Sequence, residues 1–157
     1  MKNIAINLTV LILAILVFKS CSKDDGKENN VVDSSDIPSI KSAITNGDWH
    51  ISYYFDSDKE ETSDYVDYIF TFQENGTLGA TDGNTSLSGA WSITTSDNSN
   101  DDTSTSDVDF NILFSSPEIF EELSDDWDIK SYSNNQIELM DISGGNGGTD
   151  LLTFSKN

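Results

Sequence analysis

One histidine, one cysteine and 28 acidic side chains are the groups with which this 157-residue chain could do chemistry. His50 is expected on the outer face of a strand. No Gly-x-Ser-x-Gly elbow and no metal-ligand spacing accompanies it, so neither a serine hydrolase nor a zinc site is in prospect. The paired acids Glu121-Glu122 and Asp125-Asp126 fit helix-end and surface charge better than acid–base work. Asp97, Ser99 and Asp101 set oxygen ligands at alternate positions, as a Ca²⁺ loop does. Such a loop also needs Gly at its sixth position and Glu at its twelfth, where this chain has Asp102 and Val108. Asp56, Asp58, Glu60 and Glu61 form a second acidic run of the same unspecific kind. The glycine-rich residues 144–148 precede no Lys-Ser/Thr and form a hairpin loop, not a phosphate cradle. The sequence therefore predicts no enzyme, no catalytic residue, no specific metal site and no cofactor.

Cys21 is different, because a lone cysteine in an exported chain has no internal disulfide to make. Export is implied by what precedes it. Lys2 is followed by an almost wholly apolar run of about 15 residues, short of the roughly 20 that a membrane-spanning helix requires. A basic start, that run and the small Ser20 before the cysteine have the order of a secretory signal. Phe18-Lys19-Ser20-Cys21 resembles the lipobox of bacterial lipoproteins. The resemblance implies that Cys21 carries acyl chains, palmitate among them, and heads the mature chain. Three such chains, at about 0.8 kcal/mol per buried methylene, would hold a soluble domain to a membrane permanently. Ser22-Lys23-Asp24-Asp25 resembles the Lys-acidic-acidic export signal of some Gram-negative lipoproteins. It implies an outer-membrane protein facing the cell exterior.

Cleavage before Cys21 leaves six lysines against 28 acids, a net charge of −22, and the chain contains no arginine. Nucleic-acid binding requires a basic footprint and is excluded. The charge repels anionic membrane surfaces and suits a solvated exterior, a divalent cation or a basic partner. Three parts are expected: a signal peptide at residues 1–20, the acylated cysteine and a flexible acidic tether at 21–38, and one domain at 39–157.

Within that domain the apolar residues alternate in short bursts separated by Asn, Asp, Ser and Gly. Ile40 and Ile44 predict one or two helical turns. Eight strands are then expected, carried by Trp49/Ile51/Tyr53/Phe55, Val66/Tyr68/Phe70/Phe72, Leu78/Ala80, Leu87/Gly89/Trp91/Ile93, Val108/Phe110/Ile112/Phe114, Trp127/Ile129, Ile137/Leu139 and Leu152/Phe154. Asn75-Gly76 and Gly83-Asn84 supply turns that need positive φ. Ser116-Pro117-Glu118 predicts a capped short helix before strand six. Short connections throughout predict an all-β, eight-stranded antiparallel meander barrel, a closure that removes exposed edges.

Gly47-Asp48-Trp49 at the head of strand one is similar to the Gly-x-Trp motif of lipocalins. The segments Phe70-Thr71-Phe72-Gln73-Glu74-Asn75-Gly76-Thr77-Leu78, Gly89-Ala90-Trp91 and Leu152-Thr153-Phe154-Ser155-Lys156 resemble landmarks of the lipocalin-like domains that many bacterial lipoproteins carry. Lipocalins pack an arginine over the first tryptophan, and here Lys156 stands in its place. The Thr-Asp-Tyr landmark is absent. The resemblance implies a lipocalin-like barrel whose interior, lined by Trp49, Tyr53, Tyr68, Phe70, Trp91 and Phe110, is a candidate cavity for one small apolar ligand. Phe55, Phe72, Phe114, Trp127 and Phe154 are also expected inside, and that much bulk can instead fill a small barrel. The functional expectation is a non-catalytic binding or accessory module of an outer-membrane protein assembly. Its partner would be another envelope protein. The alternative is a carrier of a small hydrophobic ligand.

Overall fold

A computed structural model describes residues 32–95, 108–142 and 148–156. Cys21, Ser22, Lys23, Asp24, Asp25, Asp97, Ser99 and Asp101 lie outside the described residues, as does most of the glycine-rich loop. The elements in chain order are α1 (Ile37–Ile44), β1 (His50–Asp56), β2 (Lys59–Glu60), β3 (Ile69–Phe72), β4 (Thr77–Thr81), β5 (Ser86–Thr95), β6 (Val108–Leu113), α2 (Glu118–Glu121), β7 (Asp126–Tyr132), β8 (Gln136–Ile142) and β9 (Thr149–Ser155). The strands form one antiparallel sheet in the order β2-β1-β9-β8-β7-β6-β5-β4-β3. From β3 to β9 each strand lies beside its sequence neighbour, and β9 returns beside β1. The all-β expectation holds, with α2 before β7 as the Pro-Glu signal requires.

The sheet curls into a half-barrel of nine strands rather than the expected eight. The additional strand, β2, folds out of the acidic run: Phe55 pairs with Glu60 and Asp56 with Lys59. Two residues are too few for alternation to be visible in sequence. The β1 and β3 sides of the curl meet at one bridge, where Trp49 and Phe70 exchange backbone hydrogen bonds of 2.9 and 2.8 Å.

Most inward positions follow the period-two pattern. Val108, Phe110 and Ile112 on β6, Leu152 and Phe154 on β9, and Ile137 and Leu139 on β8 are all buried. Gly89 permits a close approach of β5 to the end of β6, because a Cβ there would lie 2.5 Å from the Leu113 carbonyl oxygen. The first strand departs from the pattern. Ile51 pairs with Phe154 but Tyr53 pairs with Thr153, so Ser52 is an extra residue, a β-bulge. The bulge reverses the alternation. Tyr54 turns inward at 2% exposure, Tyr53 turns outward at 39%, and Phe55 is left half-buried on the outer face. The expected inward placement of Tyr53 and Phe55 is thereby corrected.

A second correction concerns β3, which starts at Ile69 rather than Val66. A 3₁₀ turn at Thr62–Asp64 carries the fully buried Tyr65 into the core and leaves Val66 on the surface, while Tyr68 precedes the strand and is partly buried. Structure is also present before residue 39, in the segment expected as tether. Val32 is buried, Asp33 caps the turn at Ser34–Asp36, and α1 starts at Ile37. Ser116 is not the helix cap: α2 begins at Glu118, one residue later than expected, and the carbonyl of Pro117 accepts from the N–H groups of Phe120 and Glu121.

Each end of the curl is stoppered by a helix. At one end Ile40 and Ile44 of α1 pack inward, and the Trp49 indole N–H donates to the Ile44 carbonyl at 2.8 Å. At the other, Phe120 of α2 is fully buried against the rings of Tyr65, Tyr68, Phe70 and Phe114. Leu123 follows it inward, and its carbonyl accepts from the Trp127 indole at 3.1 Å. Burying one such ring stabilises by about 1.5–3 kcal/mol, which explains why a four-residue helix too short to stand alone is formed.

Candidate functional site

Between these stoppers runs a column of aromatic rings. Phe72 meets Trp91, Phe110 and Phe154 edge-on, with centroids 5.6, 5.7 and 5.3 Å away. Trp91 stacks on Phe110 at 5.7 Å, and Phe70 meets Phe154 at 5.3 Å. Of the six candidate cavity residues, Trp49, Phe70, Trp91 and Phe110 are thus brought to the interior; Phe70, Trp91 and Phe110 pack there against other rings, and Trp49 lies under the Lys156 ammonium. Tyr53 lies outside, and Tyr68 sits at the α2 end against Phe120 at 4.9 Å.

The open space is elsewhere. A surface groove of about 760 Å³ lies at the α1 end, between Lys41, Ser42, Thr45 and Asn46 on one side and the β3–β4 turn at Glu74, Asn75 and Gly76 on the other. Trp91 also lines it and holds the turn by two bonds: its backbone N–H to the Gly76 carbonyl and its indole N–H to the Gln73 carbonyl, both 2.9 Å. Gly76 sits at φ +85°, where only glycine is unstrained. A shallower hollow of about 480 Å³ adjoins it around Leu113, Ser124 and Asp125. The sequence hid the groove, since α1 and the β3–β4 turn meet only through the tertiary fold.

Among the described residues electrostatics give no reactive pair. The Tyr54 and Tyr65 phenols are pushed upward by burial and donate to the carbonyls of Glu122 and Ile119, so both act as neutral donors. Burial pushes the Asp125 carboxyl up to about 6, with Asp126 and Asp141 adding to the effect. His50 opens β1 opposite Ser155, and its Nδ1 is buried without a hydrogen-bond partner. Among the described residues no group of His, Cys, Asp and Glu side chains is arranged to hold a metal ion, and no helix is long and apolar enough to cross a membrane. The concave surface that the fold offers lies at the groove beside α1. No protein-family model, curated protein or solved structure matches the chain.

Proposed function

We propose that this chain is an outer-membrane lipoprotein, anchored through Cys21 and facing the cell exterior, whose β domain is a non-catalytic binding or accessory module of an envelope protein assembly. The observation that carries the module reading is the packed interior. Rings at 5.3 to 5.7 Å around Phe72 occupy the inside of the curl with the chain's own bulk, which directs binding to the outer surface. The lipobox-like Phe18-Lys19-Ser20-Cys21 supports the anchor.

Closure of the eight strands other than β2 into a lipocalin-like barrel belongs to the same proposal. It is supported by the Trp49–Phe70 bridge across the two sides of the curl. It is supported again by Lys156, whose ammonium lies over the Trp49 ring where lipocalins keep an arginine.

Extraction of the native protein from membranes in mild detergent tests both halves. Mass spectrometry of the N-terminal peptide is expected to find three acyl chains on Cys21, and an unmodified cysteine removes the anchor. Co-purification with an outer-membrane complex is the expected result for a module. A carrier of a small hydrophobic molecule is the second reading, favoured by the groove at the α1 end, which Trp91 helps to line. It predicts instead a chain that purifies alone with extractable bound lipid.

A further inference from the structure

The bulge at Ser52 places apolar side chains where the alternation of β1 would have put polar ones. Reading the register across the strands, Asp109, Asp128, Met140, Leu151, Phe55 and Glu60 fall into one row on the face opposite the core. The centre of that row is apolar and both ends are acidic. Tyr53, two residues along β1 on the same face, adds an aromatic ring at 39% exposure, and Ile142, two residues along β8, adds a side chain at 53%. Glu138 lies beside this centre, paired with Thr153, which in turn pairs with Tyr53. An apolar centre with an aromatic anchor and a charged rim is the anatomy of a protein-docking surface.

We infer that the outer face of β1, β9 and β8, centred on Tyr53, Phe55, Met140 and Leu151, docks an envelope protein that presents an apolar side chain ringed by lysine or arginine. This rests on the module reading above and names where the module binds. The charge decides the occupant. A second copy of this chain would bring acidic rim against acidic rim at a net charge of −22 each after cleavage before Cys21. A bilayer with anionic headgroups would be repelled for the same reason. A basic protein surface is attracted and oriented, because rim charges steer association and set its salt dependence.

A benzophenone side chain placed at Tyr53 or at Leu151 of the full acylated chain, irradiated in native membranes, tests this. Leu113, 59% exposed on the outer side of β6 and away from the patch, is the control site. The expected result is cross-linking from both patch sites to the same protein, through a segment bearing Lys or Arg, and none from Leu113. Glu60→Gln combined with Glu138→Gln should lower the yield about tenfold and flatten its salt dependence. Cross-links to a second copy of this chain, to lipid, to a segment without basic residues, or equally from Leu113 would each overturn the inference. If the chain co-purifies with an assembly while both patch sites stay unlinked, the surface is wrong and the module reading stands. If co-purification is absent too, both fail.

Discussion

Lys156 holds its ammonium 4.5 Å from the centroid of the Trp49 ring and donates a hydrogen bond of 3.2 Å to the Ala43 carbonyl. Three distant pieces of chain are joined by this contact: the start of β1, the end of β9 and the last turn of α1. The carbonyls at a helix C-terminus carry partial negative charge, so a cation is favoured there as well as over the indole face. Lys156→Ala is expected to cost about 1–2 kcal/mol, the sum of a partly buried cation–π contact and one hydrogen bond. Lys156→Arg should recover most of it, since a guanidinium stacks and donates in the same place. Urea unfolding followed by tryptophan fluorescence checks both; an alanine variant as stable as the native chain would show that α1 is held without the clamp.

Phe120 does for the other end what Ile40 and Ile44 do for the first. It is fully buried, and four rings surround it with centroids between 4.9 and 6.0 Å away. Phe120→Ala should cost about 3–5 kcal/mol, because the rings around it belong to separate strands and turns and cannot collapse into the space together. Glu121, one residue on and exposed, should tolerate alanine within about 0.5 kcal/mol. Thermal unfolding of the two variants separates a stopper from a surface helix.

The interior was legible wherever one residue in two faces the core. On β6, β8 and β9 the buried side chains are those that alternation marks. The pattern failed at Tyr53-Tyr54-Phe55, where three aromatics in a row carry no period and nothing local reveals that Ser52 is the extra residue. The same failure recurs at Tyr65 and Val66, adjacent apolar residues between which only the 3₁₀ turn decides. Lys156 over Trp49 was anticipated through the lipocalin resemblance, in which a cation near the end of the barrel packs over the first tryptophan. The groove beside Trp91 and the outer row through Met140, Leu151 and Phe55 were not, since both exist only in the register between strands.

The bulge makes a sharp contrast between neighbours. The Tyr54 hydroxyl donates to the Glu122 carbonyl at 3.0 Å, and its ring meets Tyr65 at 5.5 Å. Tyr54→Phe should cost about 1 kcal/mol by leaving that carbonyl without its donor, and Tyr54→Ala about 3–5 kcal/mol. Tyr53→Ser should stay within about 0.5 kcal/mol, as befits a surface residue. Denaturant midpoints of the three variants check the assignment. A Tyr53 variant that unfolds as readily as Tyr54→Ala would restore the unbroken alternation that the bulge replaces.

Acidity should stabilise this protein before it harms it, and Asp125 is the reason. The carboxyl is partly buried beside the start of β7, and burial pushes it up to about 6 while Asp126 and Asp141 press the same way; the Asp126 N–H, donating at 2.8 Å, pulls against them. In the unfolded chain the same group titrates near 3.9. The folded state therefore binds this proton more tightly than the unfolded state. Stability gained by protonation is complete below about pH 4 and is lost as the pH rises through about 6. Glu122, raised mainly by burial, contributes in the same sense. Asp82 works in the opposite sense: backbone N–H bonds from Thr85 and Asn84 hold its carboxyl low, so its contribution is lost only in stronger acid. Between pH 7 and pH 5 the raised groups dominate, and the melting temperature should climb as the pH falls. Asp125→Asn keeps an oxygen to accept from Asp126 and removes the charge. It should melt higher than the native chain at pH 7 and show a smaller rise toward pH 5. Calorimetric melts of both proteins at the two pH values measure this, and an asparagine variant with an undiminished rise would assign the effect to other carboxylates.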